Sequence, residues 1–248
     1  MILRDMVSSR YERLANSKIA VRWRLPDIDP DTRAIFHRVA PYTMTSPERI
    51  AAVCDAVRYV SRANIPGAYV ECGVWRGGSS MAAALTLLTV GDTERNLYLF
   101  DTFEGMSAPS EHDVRAEDNK PAAALLEGST SSDKIWCRAS IADVSANMAL
   151  TGYPSEYVTL CKGMVEDTLP AQAPDKIAIL RLDTDWYEST RHELDVLFPR
   201  LVQGGVLIVD DYGYWAGARK AVDEYFADRP ILLSRIDQTG RIAIKTIA

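Results

Sequence analysis

The chain has 248 residues and a formal net charge of −6, with an isoelectric point near 5.2; that is long enough for one large domain with a sizeable core. An acidic balance argues against general nucleic-acid binding, which wants a basic face, and no apolar run approaches the roughly 20 residues of a membrane span. The N-terminal stretch interleaves charges and has no signal-peptide core. Cys54, Cys72, Cys137 and Cys161 form no CxxC pair, so reduced thiols in a cytoplasmic enzyme are expected, not disulfides or zinc.

Residues 1–40 are expected to form an extension or cap on a main domain spanning 41–248. Within that arm, residues 4–21 (RDMVSSRYERLANSKIAV) read as helical, and residues 25–32 (LPDIDPDT), with two prolines, read as a loop. Thr45-Ser46-Pro47-Glu48 is a helix start. The helix it opens places Ile50, Val53, Cys54, Val57 and Val60 on one face and ends at Asn64, before Pro66-Gly67. A short strand, Ala68 to Cys72, then meets a glycine-rich turn, Gly73 to Gly78, and a helix opening at Ser79 or Ser80. Strand, glycine turn and helix make the nucleotide-binding arrangement of a doubly wound sheet. Glu71 at the strand end would repel a pyrophosphate but suits an ammonium group, which points away from NAD and towards S-adenosylmethionine. The second strand, Asn96 to Phe100, ends in Asp101. That acid can hydrogen-bond both ribose hydroxyls of an adenosine, or simply cap the turn Asp101 to Gly105. Residues 106–134 are polar, show no steady period and read as a lid or insertion. Ser140 to Leu150 reads as a helix, and Tyr157 to Cys161 as the third strand.

Two stretches then echo each other. Lys176 to Asp185 (KIAILRLDTD) is an apolar run ending in Asp183 and Asp185; Gly204 to Tyr212 (GGVLIVDDY) turns at Gly204-Gly205 into a run ending in Asp210 and Asp211. Such runs suit strands buried on both faces. Their carboxylates would lie at the carboxyl edge of a parallel sheet, where open α/β sheets bind ligands. Packed acids need a cation or shifted pKa values, and a divalent metal is the simplest answer. The competing readings are capping of the helix after Asp185 and turn chemistry before Tyr212-Gly213. A helix from Tyr187 to Arg200, another over residues 218–228 and a closing hairpin around Gln238-Thr239-Gly240 complete a mostly parallel, doubly wound α/β sheet with an antiparallel edge. His37, His112 and His192 lack metal-ligand spacing, although His192 could approach the acids. Trp186 and Tyr187 suit an acceptor pocket or the core, and Trp75 is expected near the cofactor.

Together Tyr42 to Met44, ECGVWRGGSS, LFDTFEGM, KGMVEDTLP, LRLDTDWYEST and LIVDDYG resemble the macrocin O-methyltransferase family, metal-dependent sugar O-methyltransferases of natural-product biosynthesis. The resemblance covers about residues 40–245. It implies a seven-stranded class I methyltransferase sheet in the order 3-2-1-4-5-7-6, S-adenosylmethionine, Mg²⁺, a sugar or glycoside acceptor and a homo-oligomer. By position it implies Asp183, Asp210 and Asp211 as metal ligands and Asp185 as general base. Thr43, Met44, Glu71, Cys72, Gly73, Val74, Trp75, Asp101, Thr102, Phe103, Glu104, Gly105 and Ser140 would surround the cofactor. The chain departs from the family's Gly-Trp-Phe at Gly163-Met164-Val165, and none of these motifs places its arm before about residue 40. Rival functions are catechol-type methylation, a non-catalytic S-adenosylmethionine-binding protein and a Rossmann oxidoreductase.

Overall fold

The computed structural model describes residues 26–130 and 134–246, so the helix expected over residues 4–21 lies outside the described residues. Seven strands arise where the apolar runs were expected: β1 (Ala68–Cys72), β2 (Leu97–Asp101), β3 (Val158–Lys162), β4 (Ile177–Leu182), β5 (Leu201–Val209), β6 (Ser234–Arg235) and β7 (Arg241–Ile244). They form one sheet in the order β3-β2-β1-β4-β5-β7-β6. β1 to β5 pair in parallel, and β7 runs antiparallel between β5 and β6. This is the order that the resemblance implies. All five residues of β1 and all six of β4 are buried, as two-sided burial of the central strands requires.

Helices cover both faces. On one face α1 (Pro30–Val39), α2 (Pro47–Arg62), α3 (Gly78–Val90) and α5 (Ile141–Ala149) share a core with Tyr69, Ile179 and Ile208. On the other α6 (Val165–Thr168), α7 (Tyr187–Leu197) and α8 (Ala216–Phe226) pack on Val70, Leu180 and Leu207. α2 shows how sequence sets position. The Ser46 hydroxyl accepts the Arg49 amide at 3.2 Å, Pro47 takes the first turn, and Asn64 exits at φ 51°. Its expected apolar face, Ile50, Val53, Cys54, Val57 and Val60, is at most 1% exposed, and each large side chain there contributes about 1.5–3 kcal/mol.

Two local expectations are corrected. Residues 25–32 are not all loop: Asp29 accepts the amides of Asp31 and Thr32 at 3.0 Å, and α1 begins directly at Pro30, a placement proline favours. The fifth strand begins at Leu201, so Gly204-Gly205 lies inside it. Gly204 has φ +83°, and the pairing of β5 with β4 slips between Ile177 and Ile179. The glycine pair makes a bulge where a turn was expected.

Between β2 and α5, residues 106–130 carry the short helix α4 (Ala122–Glu127) and fasten to the carboxyl edge. Ala216 N donates to Val114 O at 2.9 Å and Ala116 N to Tyr214 O at 2.8 Å. Ala122 and Leu126 join Trp186, Trp215 and Ala218 in a small separate core.

Candidate active site

The glycine turn leaves β1 at Gly73, whose φ is +83°; a Cβ there would lie 2.0 Å from the carbonyl oxygen of Asp183. Only glycine lets the first turn press against the acid-bearing loop. Asp101 ties this turn to the end of β2. One carboxylate oxygen accepts the amides of Val74 and Trp75 at 2.7 and 2.9 Å, and the other accepts Phe103 N at 2.7 Å. Burial nevertheless lifts its carboxyl above the ordinary value, against the pull of those amides. The Thr102 hydroxyl closes the loop on Gly105 O at 2.6 Å and accepts the amides of Glu104 and Gly105. Thr43 abuts the start of α3, where a Cβ on Gly78 would come within 2.5 Å of the Thr43 Cβ. Met44 and Met164 are both 42% exposed. Ser140 caps α5, accepting Asp143 N at 3.1 Å, while Asp143 pairs with Arg76 and Asn147 donates to Arg76 O. Asp101 and Thr102 thus tie Val74, Trp75, Phe103 and Gly105, four of the residues expected around the cofactor, into one unit. Four of the expected residues are buried: Glu71 (1%), Cys72 (0%), Val74 (4%) and Phe103 (4%).

Asp183, Asp185 and Asp211 each offer a carboxylate oxygen within 4.8 Å of the others. One oxygen of Asp211 is buried without a hydrogen-bond partner. Burial, then the nearby Asp183 and Asp210 charges, push Asp185 up to about 7, although Asp211 hydrogen-bonds to it. Burial also holds Asp183 and Asp211 well above the usual carboxylate range, reinforced by their acidic neighbours. Close oxygens, one of them unsatisfied and all resisting ionisation, are the donor set a hard divalent cation stabilises. The residues fit Mg²⁺.

Asp210 is held differently. It accepts Arg181 Nη2 at 2.6 Å and the Arg49 guanidinium, and Thr45 Oγ1 lies at 3.3 Å. These arginines outweigh burial and keep its carboxyl below the ordinary value. Nor do Asp183 and Asp185 cap the following helix, because α7 has no side-chain cap at its own N-terminus. Its first amide, Tyr187 N, instead donates to Asp113 at 2.8 Å. Asp185 has φ 70°, and Trp186 N bonds back to Thr184 O at 2.8 Å. This is the rarer, more strained form of γ-turn. Trp186 is 3% exposed and packs inside the small core, with Trp215 5.0 Å away. His192 stays outside the acid cluster.

Sequence reasoning missed Arg181. It is 1% exposed in mid-strand, level with Glu71 of β1, and its guanidinium lies 2.7 Å from Glu71, 2.8 Å from Asp183 and 2.6 Å from Asp210. Tyr69 and Ser80 hydroxyls complete the Glu71 carboxylate. A lone cation in a six-residue apolar strand was the available signal, since only acids on flanking strands could satisfy it. Arg49 extends the network to Asp237 at 3.0 Å, in the turn before β7.

The family profile for Macrocin-O-methyltransferase (TylF) matches residues 4–243, which corrects the expectation that the resemblance begins near residue 40: the arm is part of the match. The 8-demethyl-8-(2,3-dimethoxy-alpha-L-rhamnosyl)-tetracenomycin-C 4'-O-methyltransferase of Streptomyces olivaceus is 35% identical over 224 residues, 87% of this chain and 80% of that protein. The demethyldecarbamoylnovobiocin O-methyltransferase of Streptomyces niveus is 34% identical over 201 residues, 80% of this chain and 74% of its own length. Among solved structures, the O-methyltransferase NovP superposes with a TM-score of 0.72 at 31% identity, over 83% of each chain.

Proposed function

Because the chain belongs to the macrocin O-methyltransferase family, we propose that it transfers the methyl group of S-adenosylmethionine to a hydroxyl of a sugar or glycosylated small molecule, with Mg²⁺ held by the acids. One observation carries the reading. The glycine turn of a nucleotide-binding sheet touches, at Gly73 and Asp183, the loop bearing two of the three close carboxylates. Cofactor side and acid side are a single contact apart.

S-adenosylmethionine supplies an electrophilic methyl on a cationic sulfur. Mg²⁺, when bound, supplies a Lewis acid that makes an acceptor hydroxyl more acidic. Asp183 and Asp211 are the residues that would hold it, while Asp210, the third ligand that the resemblance implies, accepts Arg181 and Arg49. As the acceptor oxygen bonds to the methyl carbon and the carbon–sulfur bond breaks, the hydroxyl proton passes to Asp185. Asp185, within 4.8 Å of the oxygens of Asp183 and Asp211, is the carboxylate placed to take that proton. Asp101 orients the ribose, and the backbone of Gly73 to Trp75 with Thr43 frames the amino-acid end. Both oxygens of Glu71 are engaged, so it supports the turn from beneath.

The test is calorimetric titration with S-adenosylhomocysteine, with Mg²⁺ or EDTA, followed by turnover on a panel of glycosides and catechols. Wild type, Asp211→Asn and Asp185→Asn are all expected to bind the cofactor product. Asp211→Asn should lose Mg²⁺ binding, and Asp185→Asn should keep Mg²⁺ but turn over ~10²–10⁴-fold more slowly. Catechol turnover without glycoside turnover would refute the acceptor class, and no S-adenosylhomocysteine binding would refute the reading as a whole.

A further inference from the structure

We infer that Asp113, in the segment between β2 and α5, is a positioning residue that sets the turn aiming Asp185. The inference rests on the reading of Asp185 as the base. Asp113 is an aspartate with 1% exposure, and such a group persists only where its oxygens are satisfied. One oxygen accepts Ser110 N at 2.6 Å and Ser110 Oγ at 2.8 Å; the other accepts Tyr187 N at 2.8 Å. That amide opens α7 and would otherwise be among its orphan donors. The cap therefore comes from a residue 74 positions upstream. α8 makes room for it: a Cβ on Gly217 would sit 2.0 Å from Asp113 Oδ1.

The tie falls two residues after Asp185, whose left-handed conformation persists only if its surroundings over-determine it. Trp186 is held by the same segment, with its indole N–H on Ser107 O at 3.1 Å and its ring against Ala122 and Leu126. The 106–130 segment thus grips the chain immediately downstream of the base, by one indole and one backbone amide. Releasing the amide lets the γ-turn relax and swings the Asp185 carboxylate, and misplacement by about 1 Å can cost 10²-fold in rate.

The test uses the full chain with Asp113→Ala, Asp113→Asn, Gly217→Ala, the double variant Asp113→Ala/Gly217→Ala, and Asp185→Asn as reference. Asp113→Ala should lower kcat about 100-fold with the S-adenosylhomocysteine affinity within about 2-fold of wild type. Asp113→Asn keeps an acceptor for Tyr187 N and should restore most of the rate. Gly217→Ala ordinarily favours a helix, yet here it should depress kcat like Asp113→Ala. The double variant should be no slower than Asp113→Ala, since the new methyl meets no carboxylate. Independently of turnover, amide exchange at Trp186 and Tyr187 should rise about tenfold in Asp113→Ala and Gly217→Ala, but not in Asp185→Asn. Wild-type kcat and exchange in folded Asp113→Ala and Gly217→Ala overturn the inference. So do losses that multiply in the double variant, or losses that only track the fraction unfolded by circular dichroism. An active Asp185→Asn defeats the base assignment instead, and the exchange data then decide separately whether Asp113 holds the turn.

Discussion

Replacing Arg181 by methionine removes the cation at the centre of the sheet while keeping most of its apolar volume. The arginine side chain is 2% exposed, and its partners Glu71 and Asp210 are 1% and 4% exposed, so solvent screening gives no relief. Removing one member of a buried ion pair costs about 3–5 kcal/mol. Asp210 keeps Arg49, Glu71 keeps two hydroxyls and the third partner, Asp183, is 26% exposed, which places the cost in the lower half of that range, about 3–4 kcal/mol. In a chain of this size ~1 kcal/mol moves Tm by ~2–4 °C, so Tm should fall by roughly 6–16 °C. Thermal melting by circular dichroism in EDTA reads this directly. The pH dependence gives a second signature. Burial already lifts the Glu71 carboxyl, with Arg181 as the chief opposing influence; without the arginine it rises further, and holding it ionised becomes less of a burden as pH falls. The gap between variant and wild type should therefore be narrower at pH 5 than at pH 8. Asp210 works the other way: its depressed carboxyl contributes stability above 3.8 that is lost as pH falls below it, so the comparison stays above pH 5. Adding Glu71→Gln should recover at least ~1 kcal/mol relative to additivity. A variant melting within about 2 °C of wild type at pH 8 would refute the claim that the network stabilises the fold.

Without metal, Asp185 also shapes the pH profile. Its carboxyl is raised to about 7, so its contribution is fully present below 3.8 and lost as pH rises through 7, by up to about 4 kcal/mol at 1.36 kcal/mol per pH. Differential scanning fluorimetry in EDTA should show Tm falling between pH 4 and 7.5, with a flatter curve for Asp185→Asn and in saturating Mg²⁺. Gly73→Ala, with φ +83° and a Cβ 2.0 Å from Asp183 O, should lose about 2 kcal/mol or more and at least tenfold in S-adenosylhomocysteine affinity by calorimetry. Gly91→Ala is its control: the same left-handed backbone with nothing within 4 Å should cost ~1–2 kcal/mol and leave affinity unchanged.

Periodicity exposed what depends on near neighbours. The runs around Ile177 to Leu182 and Val206 to Val209 suited doubly buried strands, and strands of that kind would bring the acids at their ends to the carboxyl edge. The strand order came from the resemblance, because pairing partners far apart in sequence leave no local pattern. The same distance hid the contacts that shape the site. Asp113 sits in a stretch without period, and its partners, Tyr187 and Gly217, lie on two different helices. Gly204 reads as a turn because its φ suits one; only the partner strand shows that the chain continues straight through as a bulge. Asp183, Asp185, Asp210 and Asp211 were legible as a group. Their division into a cluster of three and an arginine-bound fourth was not, since it turns on Arg49, which ordinary helix patterning places on a solvated face.

The antiparallel β7 bears on how the protein is made. β5 delivers Asp210 and Asp211, yet the strand that covers its outer edge begins 32 positions after β5 ends. Until that stretch is in place, the outer edge of a long apolar strand shows a row of unpaired backbone groups, a template for association with other chains. Asp237, the Arg49 partner, also lies in this late stretch. The acids consequently reach their final electrostatic setting only once this stretch has packed against α2 and β5.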